Sequence, residues 1–359
     1  MRIIQILPTI AYGDGVGNDT LALADTLKEA GYETQIYADL IDGRLGEGVA
    51  KQADTYEYEE GDIILYHLST GSDLNYKITE YPCRRIIIYH NVTPPHYFMG
   101  YSPESEKMCA AGLRAAKYLR NKADLCLVDS AYNGQDLIEM GYECAMKVLP
   151  ILIAFDDYKK EPDKKIIKEY GNDDWVNIVF TGRVVPNKCP QDVIAAFACY
   201  QKYIQPKSRL FLVGRYDWSQ FYKYQLEEYA RRLGAKEVYF TGHVRFDEIL
   251  AYYHIADIFL CMSEHEGFCI PLVEAMFFDV PVIAYDSSAI SDTLGGSGLL
   301  LRDKSPQVVA EAIDLVVENK ELREQILSSQ RERLKDFEHG KIKEQFLQII
   351  EEFVAGEEK

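Results

Sequence analysis

Residues 263–276 combine two carboxylates with a glycine-containing turn in a pattern that suits phosphate and sugar binding. The segment, Ser-Glu-His-Glu-Gly-Phe-Cys-Ile-Pro-Leu-Val-Glu-Ala-Met, follows an apolar strand-like run and opens a helix. Backbone N–H groups at a helix start lack partners within the helix, so this start suits an anion. Glu266 and Glu274 flank it and can accept hydrogen bonds from sugar hydroxyls. The alternative is that both are solvated carboxylates, which the helix dipole favours at this position.

A second segment, residues 180–190, brings two cations to the end of another predicted strand. It reads Phe-Thr-Gly-Arg-Val-Val-Pro-Asn-Lys-Cys-Pro, in which Gly182 permits a close turn. Arg183 and Lys188 supply the positive charge that a departing diphosphate requires when no metal is present. The alternative is that both are ordinary surface charges.

Two features of the first half suit the same chemistry. The turn at 13–18, Gly-Asp-Gly-Val-Gly-Asn, fails as a dinucleotide fingerprint because Asn18 replaces the last glycine. Gly15 and Val16 would still let the backbone approach a diphosphate closely. His90 follows the apolar run 86–89; such a histidine is often structural, but its place beside Asn91 favours a function.

A regular alternation of strands and helices along the chain would position these residues. Apolar runs of about five residues alternate with helix-period stretches, which is typical of βαβ units around a parallel sheet. In the first half we predict strands at 2–7, 34–38, 62–67, 85–90 and 124–129 and helices at 18–30, 103–120 and 131–140. After a linker within 151–171 we predict strands at 176–181, 209–213, 237–241, 257–261 and 280–284 and helices at 190–203, 217–233, 246–255 and 270–279.

The alternation predicts two doubly wound α/β domains that face a cleft, with ligands at the carboxyl ends of their strands. The chain has 359 residues and a net charge of −18, which argues against a nucleic-acid groove. No stretch is long and apolar enough to span a membrane. None of the eight cysteines forms a Cys-x-x-Cys pair, which favours buried thiols in a reducing cytoplasm.

Helix 103–122 is a candidate for contact with a membrane surface. Lys107, Arg114 and Lys117 share one of its faces, beside an apolar side that runs from Met108 to Leu119. Such a helix can dock on anionic lipid that carries an acceptor. The alternative is a solvated surface helix, which the acidity of the whole chain favours.

The two charged segments together resemble the retaining glycosyltransferase family 4, enzymes of the GT-B fold. The resemblance is carried by Glu-Gly-Phe-x-x-Pro-x-x-Glu-Ala from Glu266 to Ala275 and by the turn from Gly182 through Arg183 to Lys188. It is strong over 176–320 and looser over 1–150. It implies an acceptor-side Rossmann-like domain, a donor domain and a final helix that returns to the first domain, with bounds 1–152, 153–338 and 339–359.

The resemblance also implies roles for individual residues. Arg183 and Lys188 would hold the donor diphosphate, Glu266 the transferred sugar and Glu274 the ribose, with His90 near the anomeric carbon. Catalysis would thus use His90, Arg183, Lys188 and Glu266, and donor binding Gly15, Val16, Gly182, Gly267, Phe268, Cys269, Ile270 and Glu274. The chain departs from the family pattern at Asp14, where the family has glycine, and at Asp19, where it has histidine.

The implied reaction is transfer of a hexose from a nucleoside diphosphate sugar to a hydroxyl of a saccharide or lipid-linked acceptor, in cell-surface polysaccharide or glycolipid assembly. We expect no cofactor and no metal, because no Asp-x-Asp motif follows a strand. We expect retention by same-face attack, and a cytoplasmic protein that contacts the inner membrane face peripherally. Two alternatives stay open. One is a GT-B nucleotide-sugar epimerase, and the other is a non-catalytic sugar- or nucleotide-binding subunit, which would be expected to lack Arg183, Lys188 or either glutamate.

Overall fold

The structure is a computed structural model that describes residues 1–216 and 220–356, and the chain divides into two compact units. The first unit comprises 1–99, 103–154 and the terminal segment from Phe337. The second comprises 100–102 and 155–336. The division after Ala154 lies two residues beyond the predicted domain boundary at 152.

The first unit is built on a parallel sheet of seven strands in the order β3-β2-β1-β4-β5-β6-β7. Its strands are β1 Arg2–Ile10, β2 Glu33–Ile41, β3 Lys51–Gln52, β4 Ile63–Leu68, β5 Arg84–Tyr89, β6 Leu125–Val128 and β7 Ala145–Val148. The helices between them are α1 Gly15–Glu29, α2 Leu74–Lys77, α3 Pro103–Leu119 and α4 Ala131–Glu139. Strands covered on both faces read as continuous apolar runs, and every residue of β4 is buried.

The second unit repeats this plan with six parallel strands in the order β10-β9-β8-β11-β12-β13. Its strands are β8 Val176–Thr181, β9 Ser208–Val213, β10 Val238–Gly242, β11 Ile258–Cys261, β12 Val282–Tyr285 and β13 Leu299–Leu301. Its helices are α5 Lys164–Tyr170, α6 Pro190–Tyr203, α7 Gln220–Leu233, α8 Phe246–Ile255, α9 Ile270–Phe277, α10 Ile290–Leu294, α11 Pro306–Glu318 and α12 Lys320–Leu334. Both units are doubly wound, as the sequence predicts.

The last helix, α13 His339–Ala355, packs within the first unit. Its apolar stripe is buried in one cluster with residues of β1 and α1. The stripe consists of Ile342, Phe346, Ile349, Ile350 and Phe353. Lys343 also pairs with Glu29 at the end of α1, at 2.6 Å.

The beginning of α1 differs from the prediction. The helix starts at Gly15 rather than at Asn18, because the Asp14 side chain caps it by accepting a hydrogen bond from Gly17 N at 3.3 Å. Gly15 and Val16 therefore lie in the first helical turn, and not in a loop.

Several short elements were absent from the prediction. Strands β3, β7 and β13 span two to four residues, too few for a periodic signal, and α5 lies within the predicted linker. Residues 217–219 of the predicted helix 217–233 lie outside the described residues.

All eight cysteines are free thiols, four of them buried and four half-buried. The sequence predicts buried thiols, which the structure confirms for four of the eight. Among the helices of the described residues, none has both the length and the apolarity needed to cross a bilayer.

Candidate active site

The two charged segments meet at the carboxyl ends of the two central strands of the second sheet, where the strand order reverses. Strands β8 and β11 are neighbours there, and the chain leaves β8 at Gly182 and β11 at Met262. Helices then begin on either side, α6 after the first segment and α9 after the second. In open α/β sheets this position is the usual ligand-binding crevice, because no connection covers it.

Glycine is required where β8 and β9 end. Gly182 N donates to Val213 O at 2.9 Å, and Val184 N donates to Arg215 O at 2.9 Å, so the two strand ends stay paired. Gly182 and Gly214 have φ angles of +129° and +145°. A Cβ on Gly214 would lie 1.9 Å from the Gly182 oxygen, which no side chain can accommodate.

Asn187 joins the two charged segments through its backbone and its side chain. Its Nδ2 donates to His265 O at 3.0 Å, and its carbonyl oxygen accepts from Glu264 N at 2.9 Å. Ser288 accepts from Glu266 N at 2.9 Å. These contacts hold the two loops in one arrangement. The backbone that carries Lys188 and Glu266 is therefore fixed.

Lys188 and Glu266 form an ion pair within this arrangement. Lys188 Nζ lies 2.6 Å from Glu266 Oε1, and the side chains are only 13% and 10% exposed. Ser263 Oγ donates to the same oxygen at 2.8 Å. Burial is the largest effect and opposes the charge on Lys188, but the attraction and hydrogen bond of Glu266, with smaller contributions from Cys269 and Cys261, together outweigh it and raise the pKa of Lys188. The ammonium group is therefore cationic at neutral pH. Arg183, which precedes it on the same segment, is exposed.

Glu274 lies in α9 and is bound by two tyrosine hydroxyls. Tyr158 donates to Oε1 at 2.8 Å and Tyr253 donates to Oε2 at 2.6 Å. The Thr181 hydroxyl lies 2.5 Å from that of Tyr253, which links Glu274 to the end of β8. Burial raises the pKa of Glu274, and the two hydrogen bonds oppose this effect. The carboxylate is thus held in place beside the strand end that carries Gly182.

The start of α9 has an irregular backbone. Cys269 is its N-cap, with φ of +71°, and Ile270 begins the helix. Phe268 and Cys269 are buried, and the Phe268 carbonyl accepts a hydrogen bond from Thr293 Oγ1. The left-handed residue turns the chain sharply from Gly267 into the helix.

His90 lies in the first unit, directly after β5. Its side chain is 2% exposed, and its Nδ1 lies 3.1 Å from Asp129 Oδ2. Its Nε2 lies 2.9 Å from Nδ1 of His67, a residue within β4. The predicted role of His90 near a sugar remains a prediction.

Several residues of both regions were not singled out from the sequence. In the second unit these are Asn187, Gly214, Ser263, Ser288, Tyr158 and Tyr253, and in the first unit Gln5, His67 and Asp129. Only Gly214 carried a usable signal, since a glycine directly after an apolar strand indicates close backbone approach. Ser263 contacts Glu266 only three residues along the chain, and the others act through contacts that are distant in sequence.

Comparison with known proteins identifies a similar family. Residues 162–333, nearly all of the second unit, match the family described as glycosyl transferases group 1. Over these residues the chain is similar to the group 1 glycosyltransferases. The resemblance carried by the two charged segments is confirmed at this level.

Two curated relatives are similar to about half of the chain. The first is the Campylobacter jejuni protein named GalNAc-alpha-(1->4)-GalNAc-alpha-(1->3)-diNAcBac-PP-undecaprenol alpha-1,4-N-acetyl-D-galactosaminyltransferase, 29% identical over 178 residues, or 49% of this chain and 48% of the relative. The second is a GDP-mannose-dependent alpha-(1-6)-phosphatidylinositol monomannoside mannosyltransferase of Mycobacterium tuberculosis, 28% identical over 185 residues, or 48% and 47%. The chain spans about half the length of the curated relatives it matches.

Solved structures confirm the fold. The chain resembles Anabaena HepE in complex with UDP-glucose with a TM-score of 0.78 and 19% identity, over 98% of this chain and 100% of HepE. It resembles WaaG, described as a glycosyltransferase involved in lipopolysaccharide biosynthesis, with a TM-score of 0.72 and 16% identity, over 97% and 99%. The predicted GT-B fold class is therefore confirmed.

Proposed function

We propose that the protein transfers a sugar from a nucleoside diphosphate sugar to an acceptor hydroxyl. The observation that carries this proposal is the buried pair of Lys188 and Glu266 at the point where the strand order of the second sheet reverses. The pair places a cation and a hydroxyl acceptor in contact, at the end of a parallel sheet where nucleotides bind. The similarity of the second unit to the group 1 family supports the same reading.

The charges suggest how the reaction is divided among the residues. Lys188, with Arg183 on the same segment, would stabilise the diphosphate as negative charge develops on it. Lys188 and Ser263 both use Oε1 of Glu266, and a carboxylate has further lone pairs that can accept sugar hydroxyls. Glu274, held by Tyr158 and Tyr253, would accept the ribose hydroxyls in the same way.

We further propose that the reaction retains the anomeric configuration and uses neither a metal nor a cofactor. Lys188, Arg183 and the start of α9 supply the positive charge that a metal supplies elsewhere. The sequence offers no convincing carboxylate nucleophile, which favours same-face attack. In that mechanism the leaving diphosphate takes the proton of the acceptor hydroxyl, and the new glycosidic bond forms as the sugar–phosphate bond breaks.

The acceptor we propose is a saccharide on a lipid carrier, and the product a cell-surface glycan. The names of the two curated relatives include undecaprenol and phosphatidylinositol, which supports a lipid-linked acceptor. In α3 the side chains of Lys107, Arg114 and Lys117 are all exposed, as are Met108 and Tyr118. We propose that this face rests on anionic lipid at the cytoplasmic side of a membrane.

A thermal-shift screen of nucleoside diphosphate sugars tests the function. A donor at 100 times its dissociation constant stabilises the protein by about 2.7 kcal/mol, which is readily measured. The stabilising donor is then incubated with and without saccharide acceptors, and the products are identified. Transfer supports the proposal; conversion of the donor to its epimer, or binding with no turnover under any acceptor, contradicts it.

A further inference from the structure

A continuous line of buried polar groups crosses the carboxyl end of the first sheet. It runs from Gln5 in β1 through His67 in β4 and His90 after β5 to Asp129 after β6. All but His90 are buried as whole residues, and the His90 side chain is 2% exposed. Each hydrogen bond in this line restricts where the protons can lie, so their positions follow from the donors and acceptors.

The Gln5 amide fixes the proton on one side of His67. Gln5 Nε2 donates to the Thr20 carbonyl oxygen at 3.1 Å, and a carbonyl can only accept, so the amide orientation is set. Gln5 Oε1 then faces His67 Nε2 at 2.8 Å. Because this oxygen also can only accept, His67 Nε2 carries a hydrogen.

Asp129 fixes the proton at the other end in the same way. His90 Nδ1 lies 3.1 Å from Asp129 Oδ2, and an ionised carboxylate only accepts, so His90 Nδ1 carries a hydrogen. Between the rings, His67 Nδ1 and His90 Nε2 are 2.9 Å apart, a distance that requires one hydrogen between them. The two rings thus hold three N–H groups, whereas two neutral imidazoles hold two.

The extra proton belongs to His90. Asp129 is its direct partner, and Asp14, the N-cap of α1, and Asp19 within α1 add to the attraction, whereas His67 contacts the neutral amide of Gln5. Burial is the largest effect and opposes charge on His90, but the attraction and hydrogen bond of Asp129 and the attraction of Asp19 and Asp14 together outweigh it and raise the pKa of His90. Burial, followed by the effect of His90, lowers the pKa of His67 well below its ordinary value. Geometry and electrostatics agree on which ring is charged.

We propose that Gln5 and His67 are positioning residues that hold His90 as a buried imidazolium paired with Asp129. An imidazolium has no lone pair, so His90 does not act as the base for the acceptor hydroxyl. This consequence rests on the proposed function, and it agrees with a mechanism in which the leaving diphosphate takes that proton. Asp19, His67 and His90 offer atoms within 4.8 Å of one another, so a bound metal ion is the competing explanation that the test must exclude.

Nitrogen NMR of the full-length protein tests the assignment. In ring spectra of nitrogen-15-labelled protein at about pH 7.5, His90 should show two protonated nitrogens and His67 one, at Nε2. The protein is measured before and after treatment with a chelator, with its metal content determined. An unprotonated nitrogen in His90, or one equivalent of metal whose removal changes both rings, would overturn the proposal.

Variants separate positioning from mere structural support. His67→Leu removes the acceptor for His90 Nε2–H, so His90 should lose its proton at lower pH, whereas His67→Gln keeps an acceptor and should restore the wild-type titration. Gln5→Met frees His67 to change its tautomer, so His90 should again lose its proton at lower pH. This variant provides the test if His67→Leu does not fold. Gln35→Met, a half-buried glutamine of β2 outside the line, is the matched control. A His90 titration in Gln5→Met equal to that of the control overturns the proposal.

The spectra are recorded without a sugar donor. The proposal for His90 can therefore fail or hold independently of the proposed function. Predicted spectra from a protein that turns over no donor would support the charge on His90 and contradict the proposed function. Where turnover is observed, it should fall as pH rises through the titration of His90. In Gln5→Met that fall should move to lower pH, which a purely structural role would not produce.

Discussion

At the scale of single residues, the proposed function depends on which donors bind the carboxylates and which acceptors bind the cations. Glu274 illustrates this, since Tyr158 and Tyr253 each donate to one of its oxygens. Two hydroxyl donors already bind this carboxylate in the way that we propose for the two ribose hydroxyls. The tyrosines orient the carboxylate, and its remaining lone pairs would accept the ribose hydroxyls in the proposed function.

Glu274→Gln should weaken the binding of a nucleoside diphosphate by about 1.5–3 kcal/mol, because hydrogen bonds to a charged acceptor are lost. Isothermal calorimetry with the donor found in the thermal-shift screen provides the measurement. Glu321→Gln, an exposed residue in the first turn of α12, is the control and should bind as the wild type does. Equal affinities for the two variants would show that Glu274 does not contact the nucleotide.

The sequence predicts the charged residues of the second unit better than their supports. Glu266 and Lys188 were identified because each follows an apolar strand and precedes a helix. Asn187 binds the His265 carbonyl oxygen 78 positions away, and Tyr158 reaches Glu274 across 116 positions of the chain, so no local pattern predicts either contact. In the first unit the capping by Asp14 was missed, since the glycine pattern around it favoured a loop.

At the scale of elements, the ends of β8, β9 and β11 determine where the residues of the candidate active site lie. The register of β8 with β9 brings the glycines that follow them together, and Gly214 leaves no room for a side chain. The long strands and helices were predictable from hydrophobic period and length. The short strands β3, β7 and β13 were not, because pairing with a neighbouring strand defines them.

Gly214→Ala should destabilise the second unit by about 3 kcal/mol or more, since it adds a backbone clash to an unfavourable φ. Gly234→Ala is the control: its φ is +76°, but no atom lies within 4 Å of the added Cβ. It should cost only about 1 kcal/mol. Urea unfolding of the three proteins measures both effects, and equal losses would show that the close approach to Gly182 does not limit this turn.

The exposed face of α3 makes a separate prediction for an element. Changing Lys107, Arg114 and Lys117 together to Glu should abolish flotation with anionic vesicles, because each basic residue contributes about 1 kcal/mol near such a surface. Changing three exposed lysines of α5 is the matched control and should leave flotation intact; these are Lys164, Lys165 and Lys168. Flotation of the α3 variant at the wild-type level would place the membrane contact elsewhere or remove it.

At the scale of the whole molecule, each unit has its own core, and α13 packs against β1 and α1 in the core of the first unit. The stripe of α13 shares a core cluster with Ile3 of β1 and Leu23 of α1, so the terminal helix contributes to the stability of the first unit. Stability should also depend on pH through buried groups of that unit. Asp19 is the clearest case, because burial raises its pKa to about 7.

Between its ordinary pKa of 3.8 and about 7, Asp19 keeps a proton in the folded protein that the unfolded chain releases. The free energy of unfolding should therefore decrease as pH rises through this window. Asp19→Asn cannot titrate and can still accept from Leu152 N, so its unfolding temperature should fall less between about pH 4 and pH 7. Asp25→Asn, exposed on the same helix, is the control. Parallel pH profiles for all three proteins would contradict the buried, protonated state of Asp19.

The most direct test of the central claim is donor turnover by Lys188→Ala. We expect the wild type to release nucleoside diphosphate and to deliver the sugar to the acceptor with its anomeric configuration retained. Lys188→Ala should lower kcat by about 100-fold or more while changing donor affinity much less, because the ammonium stabilises charge that develops in the transition state. Lys202→Ala, an exposed lysine of α6, should match the wild type. A Lys188→Ala enzyme with unchanged kcat would contradict the claim that this buried pair is the catalytic centre.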